Sequence, residues 1–107
     1  MVKRNYELMF IVTPELDDEG NVALLQRVQD YLEEAGGAII KRDDWGVRRL
    51  AYSIKKQREG HYYLLQFTAD SSKVKAFERR ILLTNSILRE IVIQLDDVPS
   101  GEQGEAL

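Results

Sequence analysis

The chain has 107 residues, 44% of them hydrophobic, with no cysteine and one histidine. That bounds it to one domain of ordinary size and excludes a disulfide framework, a thiolate nucleophile and a Cys-ligated metal. The net charge of -3 is segregated: residues 35–60 hold seven basic against three acidic side chains, while residues 1–34 and the segment from Asp96 onward are acidic. A mostly acidic surface excludes non-specific coating of nucleic acid but leaves room for one local contact.

Tyr6 to Thr13 is apolar on both parities, with Tyr6, Leu8, Phe10 and Val12 on one and Met9 and Ile11 on the other. That pattern predicts a strand covered on both faces, ended by Pro14. Asp17 or Asp18 is placed to cap a helix carrying Val22, Leu25, Val28, Leu32 and Ala35 at helical spacing, and Gly36-Gly37 stops it. A second strand runs over Ala38–Arg42 and resumes from Val47 to Ile54. Gly46 between the two marks a bulge or a close backbone approach.

Lys55 to Gly60 reads as a polar hairpin turn, and His61–Ala69 as a third strand, again apolar on both parities. Asp70, Ser71 and Ser72 are cap candidates for a helix with Val74, Phe77 and Ile81 on one face; Asn85-Ser86 breaks it, and Ile87–Leu95 is a fourth strand. Residues 96–107 hold four acids, two glycines and a proline without periodicity, the composition of a flexible acidic tail. Residues 1–95 thus read as one α+β, ferredoxin-like βαββαβ domain: a four-stranded antiparallel sheet with both helices on one face. In that plan strands one and three are central, and they are the two that are apolar on both sides. The expected strand order is four-one-three-two. A sheet with helices on one face also leaves apolar residues of its other face in need of a partner.

Catalysis finds no footing. His61 is the one histidine and reads as an ordinary strand-end residue. No nucleophile elbow, metal-ligand spacing or phosphate-cradling glycine loop is present. Neither a cofactor, a metal nor a small-molecule substrate is expected. No apolar stretch approaches the roughly 18 residues that span a membrane, so the expected location is the cytoplasm.

Trp45 to Arg58 carries five positive charges and no acid. Such a run often serves only to discourage edge pairing. Here it recurs along one hairpin with aromatic residues at its edges, a pattern suited to RNA. Arg48 and Arg49 alternate across the strand, one for an RNA phosphate and one for an acid of this chain or of a partner. Lys55, Lys56 and Arg58 reach furthest, toward phosphates. Trp45 and Tyr52 are candidates to stack on an unpaired base, with packing on the neighbouring strand as the competing role of Trp45.

Gly46, Arg48, Leu50, Ala51, Tyr52 and Ile54 stand in a Gly-x-Arg-x-Leu-Ala-Tyr-x-Ile pattern, with Ser53 where proline is usual. The chain resembles, in this segment, the family of the sixth protein of the bacterial small ribosomal subunit. The likeness extends over residues 3–95 through Tyr6-Glu7, Pro14, Gly36-Gly37-Ala38, Asp44-Trp45-Gly46, Gly60-x-Tyr62 and Asn85-x-x-x-Arg89. It implies a non-catalytic component of the ribosome that binds small-subunit ribosomal RNA together with a small basic partner, ribosomal protein S-eighteen. It also implies RNA contacts from Arg4, Tyr6 and Arg89. Two alternatives stand beside it. One is a stand-alone single-stranded RNA-binding module, faintly echoed in Gly60 to Phe67. The other is a regulatory ligand-binding βαββαβ domain that dimerises through its sheet.

Overall fold

The structure, a computed structural model, describes residues 2–95. The acidic tail expected over residues 96–107 lies outside the described residues. Six elements follow one another: β1 (Lys3–Val12), α1 (Asp18–Glu34), β2 (Ala38–Ile54), β3 (Gln57–Asp70), α2 (Val74–Leu82) and β4 (Ile87–Gln94). The strands form one antiparallel sheet in the order β2-β3-β1-β4, which is the order expected from the doubly apolar strands.

The helices cover one face. Tyr6, Leu8, Phe10 and Val12 of β1 and Tyr63, Leu65, Phe67 and Ala69 of β3 meet Leu24, Val28 and Leu32 of α1 and Val74, Phe77 and Ile81 of α2 in the main core. Asp17 caps α1, its carboxylate accepting from the Gly20 N–H at 2.8 Å. The helix ends with Gly36 at φ +72, where Gly36 and Gly37 donate to the carbonyls of Glu33 and Leu32, so the left-handed turn supplies donors to the last carbonyls of the helix. α2 differs from expectation: none of Asp70, Ser71 or Ser72 caps it, and Asp70 instead accepts from the Ser72 N–H and hydroxyl to close the preceding turn.

The other face carries an arrangement hidden from periodicity. Between Arg49 and Ile54 the pairing of β2 slips, so five residue steps of β2 oppose the two steps from Glu59 to Gln57. The surplus buckles the strand toward the sheet and buries Leu50 with Ile11 and Leu88, flanked by Ile54 and Tyr62, in a second small core. Gly60 makes room for it, because a Cβ there would overlap the Ile11 side chain. The open face is therefore half covered by its own hairpin. Ile91 and Ile93, each 51% exposed, remain uncovered beside Met9.

On the helix side of β4, Glu90 lies opposite Phe10 in the sheet register. One of its carboxylate oxygens is buried without a hydrogen-bond partner among the described residues. Burial, together with the hydrogen bond and charge of Glu78 on α2, pushes the Glu90 carboxyl up to about 7.

Candidate nucleic-acid interface

The β2–β3 connection is tighter than expected. Only Lys55 and Lys56 form the turn, both in the left-handed region at φ 50 and 68, and β3 begins at Gln57. Two successive positive φ values match the twist of the flanking strands, which is why such turns usually hold Asn-Gly. Lysine carries no such signal, so the sequence alone extended the loop to Gly60. Arg58 accordingly sits in β3, not in the turn.

The tip is tied down at three points. Lys55 Nζ donates to the Ile87 carbonyl at 3.4 Å, Gln57 Nε2 donates to a Glu15 carboxylate oxygen at 3.0 Å, and Arg89 donates to the Tyr52 hydroxyl. The guanidinium of Arg89 also lies 5.7 Å from the Tyr52 ring centroid. That hydrogen bond raises the Arg89 pKa beyond its ordinary value, keeping the group cationic. Arg49, Tyr52, Ser53 and Arg58 line one shallow groove of about 460 Å³ along the buckled segment.

Arg48 and Arg49 do alternate: Arg48 stands opposite Gly60 and Arg49 opposite Glu59. Neither forms an ion pair among the described residues, so the acid expected from within this chain is not found. Arg48 instead donates from Nε to the Trp45 carbonyl at 3.2 Å and lies over the indole at 5.8 Å. Trp45 occupies a bulge: Asp44 pairs with Tyr63 and Gly46 with Tyr62, leaving Trp45 unpaired and 41% exposed. The bulge at Gly46, at φ +77, is the one its sequence position marked; no close approach is involved, since a Cβ there would meet nothing.

Two of the expected RNA contacts fall elsewhere. Arg4 is exposed but is the second residue of β1, seven residues before Ile11, the partner of Arg89, which puts it roughly 23 Å away along the strand. Tyr6 is only 5% exposed, its ring stacked on Phe67 in the main core, so its side chain is a core element. The fold brings Arg49, Tyr52 and Arg58 to one groove, with Arg89 bonded to Tyr52 and Lys55-Lys56 in the adjoining turn, while Arg48, opposite Gly60, lies back along the strand beside Trp45.

His61 is more than a strand end. Its Nε2 donates to Asp44 at 2.6 Å and its ring stacks on Tyr63 at 4.3 Å between centroids. Asp44 also accepts from the Gly46 N–H at 2.8 Å. Burial pushes the Asp44 carboxyl up, but the bonds from His61 and Gly46 outweigh it and hold the group below its usual range. This clasp joins β2 to β3 across the bulge. Asp44 and His61 lie 17 positions apart, which is why neither one announced it.

A family model described as ribosomal protein S6 matches residues 5–94. Among relatives, the small ribosomal subunit protein bS6 of Carboxydothermus hydrogenoformans is 40% identical over 93 residues, covering 87% of this chain and 97% of the relative. That of Thermoanaerobacter pseudethanolicus is 39% identical over 94 residues, covering 88% and 99%. In three dimensions, the crystal structure of 30S ribosomal protein S6 from Thermotoga maritima superposes with a TM-score of 0.85 at 33% identity, covering 96% of this chain and 97% of that one. With the fold and most of its length held in common, the chain belongs to the ribosomal protein S6 family, proteins of the small ribosomal subunit.

Proposed function

We propose that this ribosomal protein is a non-catalytic component that binds small-subunit ribosomal RNA through its buckled hairpin, and does so jointly with ribosomal protein S-eighteen. The carrying observation is that Arg49 and Arg58 line one groove, with Arg89 bonded to the Tyr52 that shares it and Lys55-Lys56 in the adjoining turn, on a chain whose net charge is -3. Arg4 adds a separate phosphate contact at the far end of the sheet; the Tyr6 side chain, being buried, adds none. Such contacts position the protein without reading sequence. Because the remaining surface is acidic, the chain alone binds weakly, and a basic partner supplies the missing phosphate neutralisation. Met9, Ile91 and Ile93 on the uncovered part of the sheet offer that partner an apolar seat.

The stand-alone RNA module is disfavoured by the open face of the central strands. Its residues there are Asn5, Glu7, Met9, Ile11, Gly60, Tyr62, Leu64, Gln66 and Thr68, with Tyr62 the one aromatic. That is too few for a stacking platform. A ligand-binding regulatory domain leaves the basic groove without a role.

Filter binding to a small-subunit RNA fragment across salt, with and without the partner, tests the reading. Replacing Lys55, Lys56 and Arg58 by Gln weakens joint assembly and flattens the salt dependence by up to roughly 0.9 per lost phosphate contact, if the duplex DNA coefficient carries over. An unchanged slope, or tight binding that needs no partner, overturns it.

A further inference from the structure

The geometry points to Trp45 and Arg48 as a stacking site for one unpaired RNA base, on the edge of β2 and separate from the phosphate groove. This rests on the RNA-binding reading above and adds to it a single-stranded contact that the groove does not provide.

Three observations carry it. Trp45 is pushed out of the ladder by the bulge and stays 41% exposed, although an indole on a strand ordinarily covers its neighbours. Arg48 holds itself against that ring through one bond from Nε to the Trp45 carbonyl. Its two Nη atoms have no partner among the described residues. The acids nearby are occupied: Asp43 lies 3.8 Å from Lys41, and Asp44 is held by His61 and Gly46. Residues 41–49 hold four basic side chains against these two acids, so the local field is positive, and a guanidinium lies over an aromatic ring with free donors.

That combination suits a nucleotide. The indole offers a π surface to any base, and the free N–H fork of Arg48 offers two donors to the phosphate beside it. Charge decides against the other class of occupant. A basic partner protein is repelled by an unpaired arginine, whereas RNA brings the missing anion. Trp45 and Arg49 are four residues apart, roughly 13 Å along the strand, so a strand whose phosphates sit in the groove can turn one base onto the ring.

Trp45 is the one tryptophan of the chain, so intrinsic fluorescence reports on this site alone. The full-length protein is titrated at low salt with short single-stranded oligoadenylate, and separately with the same strand paired to oligouridylate. The single strand quenches the emission saturably and the duplex leaves it nearly unchanged. Trp45→Leu weakens retention of the single strand on filters by roughly 5- to 100-fold, while Trp45→Phe, which keeps a stacking face, restores most of it. Equal quenching by duplex overturns the inference, as does emission unchanged while filters still retain RNA; in the latter case the groove reading stands. Absence of both quenching and retention at low salt overturns the inference alone, since the groove reading is judged by joint assembly with the partner. If S-eighteen alone shifts the emission to the blue and shields it from oligoadenylate, Trp45 is a protein contact and the inference fails.

Discussion

Glu90→Gln separates the energetics of the helix face from those of the RNA surface, and its sign depends on pH. A carboxyl held at about 7 against an ordinary 4.5 binds its proton more tightly in the folded chain than in the unfolded one. Below about pH 4.5 both states are protonated and the group costs nothing. As pH rises from 4.5 toward 7 the unfolded chain releases the proton while the folded chain retains it, so stability falls through that window. Above about 7 the loss is complete. Taken at face value, 1.36 kcal/mol per pH unit gives roughly 3 kcal/mol. Glu90 is only partly buried, however, and solvent screening reduces this to about 1 kcal/mol. Gln keeps the shape, carries no charge and can donate to Glu78. Thermal unfolding followed by circular dichroism at a series of pH values is the assay. The variant melts about 4–8 °C above the parent at pH 8 and within experimental error of it near pH 4. A difference that is constant across pH, or a loss of stability at pH 8, refutes the raised pKa of the Glu90 carboxyl.

Other changes test the hairpin. Leu50→Ala removes the anchor of the small core and costs about 2 kcal/mol by denaturant unfolding, at the low end for a buried leucine because its cluster is small. It also weakens joint RNA assembly while leaving α1 and the main core intact, as read by far-ultraviolet circular dichroism. Lys55→Asn with Lys56→Gly relieves two residues held at positive φ and raises stability by about 1 kcal/mol, yet lowers RNA assembly; a parallel change in both quantities argues against a charge role for the turn. His61→Ala costs about 1 kcal/mol through the lost Asp44 bond and the bared Tyr63 ring, measured by chemical denaturation.

What was legible in the sequence was what obeys a period. Apolar residues on both parities of β1 and β3 placed them at the centre of the sheet, and Asp17, Gly36 and Gly46 marked a cap, a stop and a bulge through local backbone chemistry. What escaped was set by register or by tertiary reach. The slip between Arg49 and Ile54 has no periodic signature, so the burial of Leu50 was invisible, and with it the covering of half the open face. Lys55 and Lys56 concealed a two-residue turn because neither is a residue type that favours it, and that displaced Arg58 by one element. Tyr52 and Arg89 stand 37 positions apart, and only folding brings them into one surface. The family resemblance implied an RNA role for Tyr6, but its parity is shared with Leu8 and Phe10, which commits its ring to the core.

The two rims of the sheet are unequal. The outer rim of β2 is interrupted by three slips in register, each of which throws its free amides and carbonyls out of line. β4, by contrast, pairs with β1 without a break from Arg89 to Gln94, and among the described residues its other side carries no partner strand. A foreign strand therefore finds one berth and not two. The three slips in β2, the one that exposes Trp45 among them, are thus the feature of this fold that works against addition of strand after strand.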